Sequence, residues 1–523
     1  MLKVLGVAAP HYICKPNAAI STSLNSHDPF SLFNAFRVSA QQAQSDDEFW
    51  SQSNWSTQLG RDSSIFMMQY FHNEKLDFIQ RLCDLRPNLL LIGTMSIGFA
   101  GAIEIAKIAK SMFGEDIFVV LGGKHVNETF FQKNGAIRQL SISPLKLMSS
   151  QVIPKVFDII VSGDGEEIIW QIGRAVGYAL SKGLQLRSAY QFQGLGEARG
   201  KWIAGWLDES DSVHTLKSRQ LPLDNDSLPS TIRLFKSSSN FDVFDADITM
   251  HTMSYLSPGC IYNCHYCSEG CKINGGARQR ETAPRRLHRN LMDVESVGRA
   301  KYNSRRISAF VEDSILLGGC NDLLIKFADL LSEHPINVVW GCQFTIDKLL
   351  DDDTQHVVCR LSTLGLKYIF VGLETGDESI AISLSKSKPN SSLSWMERNE
   401  NVIKFLRGLG ISYGVSLLFG LGETHASRMN LMATIGTWKS KYSLPNVISM
   451  NLAVQHPLQK YDLYDYVNWG TPANSDYLSI FTTIFGEASE KYPLPNVGLP
   501  SIQDLEELHD SYVSLSRPLQ YKM

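Results

Sequence analysis

The chain has 523 residues, 44% of them hydrophobic and 20% charged, an ordinary globular profile with length for two to four domains. A net charge of -4, from 49 basic and 53 acidic residues without a long basic run, argues against a nucleic-acid backbone as the main partner. The opening "MLKVLGVAAPHY" lacks a secretory core and no stretch reaches the roughly 18 apolar residues of a membrane span, so a cytoplasmic protein with reduced thiols is expected.

In chain order, "KVLGVAAP" reads as a strand with a turn, and residues 10–80 as a polar, irregular insert with no readable second strand. "NLLLIGTMS" is a strand leading into the helical "AGAIEIAKIAKSMFG". "DIFVVLGGKH" and "FDIIVSGDGEEIIWQIG" repeat that alternation. Apolar strands that end in small residues and lead into helices predict a doubly wound sheet with a crevice at its carboxyl edge. "GGKH" is not a phosphate-binding loop, because Phe118 stands where that motif needs its first glycine and His125 where it needs Ser or Thr. "GFAG" is only a fragment of a dinucleotide fingerprint. The domain is drawn as 1–185, and a Pro-rich connector with a small hairpin follows over 186–250.

From residue 252 short apolar runs recur: "TMSYLS", "ISAFVED", "INVVWGCQ", "KYIFVGLE", "SYGVSLLFG" and "NVISMNLAV". Amphipathic stretches such as "NDLLIKFADLLSE" and "SRMNLMATIGTWKS" separate them. Six strands alternating with helices predict a partial (β/α)6 TIM-like barrel over 251–455, with a C-terminal extension over 456–523. Such barrels do their chemistry at the carboxyl ends of the strands. Glu312 and Asp313, Gln343, Glu374 and Glu423 stand there. For each, capping of the next helix is the competing structural role.

Four of the nine cysteines, Cys260, Cys264, Cys267 and Cys271, crowd into "CIYNCHYCSEGC" after the first barrel strand. An odd count in a reducing setting disfavours disulfides. Structural zinc takes two pairs across a longer loop, whereas three thiolates on one short loop can hold three irons of a [4Fe–4S] cube and leave the fourth open. The segment "CIYNCHYC" resembles the cluster loop of the radical S-adenosylmethionine (SAM) enzymes, with the C-x3-C-x2-C spacing and an aromatic, Tyr266, before the last cysteine. The resemblance implies that Cys260, Cys264 and Cys267 ligate the cluster, with Cys271 and His265 bystanders. It implies reductive cleavage of SAM to a 5′-deoxyadenosyl radical, with an electron donor such as flavodoxin or ferredoxin.

"VGLETG" and "LLFGLGET" are similar to SAM-holding segments of the radical SAM enzymes that carry an N-terminal cobalamin-binding domain. Carried over by position, Tyr266, Glu312, Asp313, Gln343, Glu374, Gly420, Gly422 and Glu423 are SAM candidates, with Glu374 on the ribose side. "VEDSIL" replaces the superfamily's glycine–glycine–glutamate segment, with an acidic pair as in the cobalamin subgroup. The N-terminal strand ends likewise resemble those of cobalamin-binding domains. Thr94, Ser96, Gly122, Gly123, His125, Gly163, Asp164, Gly165 and Glu166 would then line the nucleotide tail and corrin edge, small residues leaving room for the ring. None of the thirteen histidines follows an aspartate by two, so the Asp-x-His-x-x-Gly cobalt-ligand loop is missing and an open lower face is expected, with His11 and His125 as the alternative ligands. Methyl transfer to an unactivated carbon of a small-molecule, lipid or peptide substrate is the implied reaction. Rearrangement or cyclisation, with or without cobalamin, and a zinc-stabilised non-catalytic scaffold are the alternatives.

Overall fold

The computed structural model describes residues 2–10, 12, 65–68, 71–191, 193–235, 238–239, 243–244, 248–254, 264, 267, 280–303, 305–387, 392–453 and 500–520. Two seven-stranded sheets organise them.

The first sheet contains β1 (Val4–Ala8), β2 (Ile65–Met67), β3 (Leu89–Gly93) and β4 (Phe118–Gly122). A separate hairpin of β5 (Phe130–Lys133) and β6 (Ala136–Gln139) precedes its next strand, β7 (Ile159–Gly163). It is completed by β8 (Trp202–Leu207) and β9 (Val213–Lys217). The order is β2-β1-β3-β4-β7-β8-β9, parallel from β2 to β7 and antiparallel thereafter. The strands are near-continuous apolar runs because both faces are covered. Alternation divides them cleanly. Val4, Leu89, Leu91, Phe118 and Val120 pack on one side against the helix Glu166–Lys182. Leu5, Val7, Leu90, Ile92, Val119 and Leu121 pack on the other against the helices Phe71–Leu85 and Phe99–Phe113. From β1 the chain adds β2 on one flank and β3 on the other, so the ligand-binding crevice of this architecture opens at this switch point, at the carboxyl edge. Two departures from the sequence reading stand out. A second strand does exist inside the insert, at β2, too short to show a period. Residues 202–217, read as connector, hydrogen-bond onto this sheet.

The second sheet runs β10 (Ser238–Ser239), β11 (Ile248–Thr252), β12 (Ile307–Val311), β13 (Val339–Phe344), β14 (Leu366–Glu374), β15 (Ser412–Phe419) and β16 (Val447–Leu452), paired in that order. All pairs but β10–β11 are parallel, giving the expected six-stranded half-barrel. Its first strand lies earlier than "TMSYLS": pairing with β12 ends at Thr252. Met250, Ala309, Trp340, Cys342, Ile369, Val371, Val415, Leu417, Ile448 and Met450 point out into the helical layer. The alternate positions therefore face the lumen. Low in the lumen Phe244 and Phe310 pack on Tyr368, with ring centroids 5.8 and 6.1 Å away. The C-terminal helix Ile502–Gln520 docks on the helix His425–Tyr442 through Leu505 and Leu508 and an Arg428–Asp504 ion pair of 3.3 Å.

Candidate active site

Alternation along the barrel strands places a polar layer at the carboxyl end of the lumen: His251, Gln343, Ser416, Ser449 and Asn451 from the strands, joined by Glu312 and Glu374 at strand ends. Glu312 accepts from or donates to His251 through Oε1 and Nδ1 at 2.6 Å, according to the proton's position. Asn451 donates to Ser449 Oγ at 3.1 Å.

Asp313 does different work from its neighbour. Its carboxylate accepts the N–H of Ser254 at 2.8 Å and that of Leu317 at 3.1 Å. Arg286, fully buried, donates to the Ser254 carbonyl at 3.1 Å and pairs with Asp226 at 3.0 Å, while Asn290 donates to the Met253 carbonyl at 2.9 Å. The two residues that lead into the cysteine loop are thus gripped from two elements, the end of β12 and the helix Ala283–Tyr302. Burial pushes the Asp313 carboxyl up, against the hydrogen bonds from Ser254 and Leu317 and the charge of Arg286.

Of the cysteine loop, Cys264 is buried, Cys267 half-buried, and the Cys267 N–H donates to the Cys264 carbonyl at 3.1 Å. Cys260 and Tyr266, with Cys271, His265 and His11, lie outside the described residues. Both described thiols act electrostatically on Lys386, whose ammonium pairs with Glu374 at 3.3 Å with side chains 14% and 9% exposed. Burial works against the lysine's charge. Glu374 foremost, then Cys264 and Cys267, outweigh it and hold its pKa above the usual lysine value. A donor set of clustered thiols beside a fixed cation fits an iron–sulfur cube, whose thiolate ligands carry negative charge.

Glu374 reaches this pair through an irregular strand end. The β14–β15 register shifts between Gly372 and Glu374, and Glu374 adopts a φ of 64°. The Trp395 indole N–H is shared between the carbonyls of Leu373 and Thr375, at 3.2 and 3.0 Å, and fixes the kink from both sides. A Cβ at Gly372 would stand 2.2 Å from Glu374 Oε1 and 2.7 Å from Lys386 Nζ, so that position must stay bare for the pair to form. This carboxylate caps no helix: the next one, Glu378–Ser383, is capped by Asp377. Glu374→Gln is expected to keep the cluster spectrum while weakening SAM by about 1.5–3 kcal/mol, through loss of a charged acceptor for the ribose hydroxyls. Calorimetric SAM affinity equal to wild type would leave Glu374 a structural partner of Lys386 alone.

Glu423 is committed elsewhere. Its carboxylate accepts the N–H groups of Gly420 at 2.6 Å and Leu421 at 2.7 Å and pairs with buried Arg428 at 2.6 Å. It braces its own loop, and Thr424 caps the helix that follows.

At the N-terminal crevice, the Thr94 N–H donates to Gly122 and the Thr94 carbonyl accepts from the His125 N–H, at 3.0 and 3.1 Å. His125 is buried. Its ring stacks on Phe99 at 4.2 Å, its Nδ1 lies 3.0 Å from Ser96 Oγ, and burial lowers its pKa to about 4 against the pull of Glu128. The imidazole is therefore neutral at physiological pH. The small residues do not all leave room for a ring. At Gly123 a Cβ would meet the Thr94 backbone at 2.5 Å, and at Gly163 the Lys201 carbonyl at 2.2 Å. Asp164 accepts the Lys201 N–H at 2.9 Å and pins the lead-in to β8, while Glu166 is buried in the first turn of its helix. Gly165 does stand clear, with Ile169 3.7 Å away. Gly122 has the Val161 carbonyl at 3.4 Å.

Sequence reasoning missed Lys386, His251, Arg286 and Trp395. Within "LSKSKP" nothing separates Lys386 from an exposed loop lysine. His251 could have been found by extending the strand period back from the cysteine loop.

Residues 254–435 match the sequence model of the radical SAM superfamily. No curated protein matches the chain. Among solved structures it is similar to OxsB, a cobalamin-dependent S-adenosylmethionine radical enzyme with aqua-cobalamin bound, with a TM-score of 0.50 at 15% identity over 83% of this chain and 52% of OxsB. The chain thus spans about half the length of OxsB. It is also similar to TsrM from Kitasatospora setae, a radical S-adenosylmethionine methyltransferase solved with cobalamin and a [4Fe–4S] cluster, with a TM-score of 0.50 at 14% identity over 90% of this chain and 77% of TsrM. At these identities the likeness carries the fold. No described helix is long and apolar enough to cross a membrane. Residues 254–435, which form most of the half-barrel, thus carry the sequence pattern of the radical SAM superfamily, and the fold of the chain is like that of OxsB and TsrM.

Proposed function

We propose that the chain is a cobalamin-dependent radical SAM enzyme that modifies an unactivated carbon, by methyl transfer, on a small-molecule, lipid or peptide substrate. The observation that carries the reading is the pairing, in one chain, of a doubly wound sheet opening at its β1–β3 switch point with a half-barrel whose lumen is polar at the cysteine-loop end. Cys260, Cys264 and Cys267 would hold the cluster, and Glu374 the ribose of SAM. When bound, the cofactors supply one-electron cleavage of SAM and a methyl carried on cobalt. The chain's part is to orient and to exclude water. Arg286, Asn290 and Asp313 fix where the loop begins, the Phe244–Phe310–Tyr368 cluster closes the lumen below, and the polar layer above meets substrate. Holding the reactants in line removes most of the entropic barrier between them.

Cobalamin is expected to bind without a protein imidazole on cobalt, because the ligand loop is missing and His125 is enclosed between Ser96 and Phe99. The anaerobically reconstituted protein should take up hydroxocobalamin stoichiometrically, with dimethylbenzimidazole off the metal and no nitrogen hyperfine splitting in the Co(II) spectrum. Incubation with SAM and a low-potential reductant should release methionine and 5′-deoxyadenosine. A full cluster without corrinoid uptake would overturn methyl transfer in favour of a radical SAM reaction over an empty first domain. Splitting that vanishes in His125→Ala would overturn the open lower face.

A further inference from the structure

The loop after β15, residues 420–423, does not hold its shape by its own packing. Gly420 and Gly422 turn it with φ of 77° and 105°, and a Cβ at Gly422 would meet nothing within 4 Å. A relay of charges holds it instead, and the relay ends on a distant part of the chain. The Glu423 carboxylate accepts the Gly420 and Leu421 N–H groups. Arg428 holds Glu423 twice, with Nε donating to Oε1 at 2.6 Å and Nη2 to the backbone carbonyl at 3.1 Å. The third arm of that buried guanidinium, Nη1, donates at 3.3 Å to Oδ2 of Asp504, 76 residues away. Asp504 is itself fixed in the first turn of the helix Ile502–Gln520. The Ser501 N–H donates to its Oδ2 and its own N–H donates to Ser501 Oγ, both at 3.1 Å, a reciprocal box that aims the carboxylate. Leu505 and Leu508, both fully buried, already dock this helix. Docking alone therefore needs no buried cation, and an apolar contact of similar volume would serve as well. What the forked guanidinium adds is direction.

We propose that Asp504, through Arg428 and Glu423, is a positioning residue for the loop 420–423, so that docking of the C-terminal helix sets this loop in the form that receives SAM. This rests on the reading of Gly420 and Gly422 as SAM-holding residues. With Asp504 in place all three arms of Arg428 are engaged and the plane of the guanidinium is fixed. Without it Arg428 keeps only Glu423, the pair gains freedom to turn together, and the Gly420 and Leu421 amides open more often. The loop continues β15, whose Leu417 pairs in register with Glu374, so its shape also bears on the strand end where the proposed ribose contact lies.

The test combines hydrogen exchange, read by mass spectrometry on the full chain, with calorimetric SAM affinity of the anaerobically reconstituted protein. Asp504→Ala should speed exchange over 420–423 about tenfold and weaken SAM about fivefold, with the cluster absorption unchanged. Asp504→Asn keeps an acceptor for both Ser501 and Arg428 and should lie between Asp504→Ala and wild type. Glu507→Ala is the control on the same helix. It removes the neighbouring contact to His425, at 2.9 Å, leaves the Arg428 fork as it is, and should match wild type in both measurements. Wild-type exchange over 420–423 in Asp504→Ala overturns the proposal, whether or not the C-terminal helix stays protected. A loop equally loosened by Glu507→Ala also overturns it, because the effect would then come from docking without Arg428. A loop that loosens while SAM affinity stays at wild type keeps the mechanical link but takes the loop out of the SAM site, and the proposal falls with that reading.

Discussion

Replacing Cys260, Cys264 and Cys267 together by alanine is expected to abolish iron binding and, with it, all cleavage of SAM. Each thiolate would ligate one iron of the cube, and no other described thiol can stand in. Cys83 and Cys359 are exposed on separate helices, and Cys320 begins another. Cys342 is buried on the outer face of β13, where desolvation, and then the charge of Asp313, push its thiol well above the usual range, away from the thiolate a metal needs. Cys271→Ala, by contrast, should retain the full complement of iron and sulfide. Iron and sulfide analysis with the absorption band near 400 nm gives the readout. Loss of the cluster in Cys271→Ala with retention in Cys267→Ala would reverse the ligand assignment.

Gly123→Ala is expected to cost the N-terminal domain about 2–6 kcal/mol. The residue has φ 97° and ψ −173°, a region open to glycine almost alone, worth roughly 1–3 kcal/mol of strain for any other residue. The added methyl would also press on the Thr94 N and O atoms, at 2.5 and 2.6 Å. Backbone cannot step aside as a side-chain tip can, so overpacking adds on the order of 1–3 kcal/mol. The hydrogen bonds from Thr94 to Gly122 and from His125 to Thr94 tie down both sides of the position. The melting midpoint of this domain should fall by on the order of 10 °C. Gly165→Ala, with an ordinary 3.7 Å contact to Ile169, is the matched control and should melt close to wild type. Equal midpoints for the two variants would show that the β3 and β4 ends can separate, and Gly123 would then count as crevice lining rather than as a backbone contact.

The sequence by itself determined the doubly wound sheet ahead of a parallel half-barrel and singled out the cysteine loop as the candidate cluster site. Parallel strands buried on both faces must be written as apolar runs, so "NLLLIG", "DIFVVLG" and "FDIIVSG" could hardly be anything else. Cluster ligation needs several thiols on one short loop, and that spacing is a local property visible in one line of letters. What each strand-end residue does was decided only by the tertiary structure. Glu312, Asp313, Glu374 and Glu423 look equivalent as acids after strands. Folded, Glu312 meets His251, Asp313 clamps the start of the cysteine loop, Glu374 meets Lys386 and Glu423 staples its own turn. Lys386 became visible for the same reason. Partners 12 residues away along the chain on one side, and more than 100 on the other, leave no periodic trace, because alternation records which face a residue takes and never which group waits there. The glycines make the complementary point. Sequence shows that a side chain is missing, whereas only the packed backbone shows whether the space belongs to a ligand or, as at Gly123 and Gly163, to a neighbouring strand end.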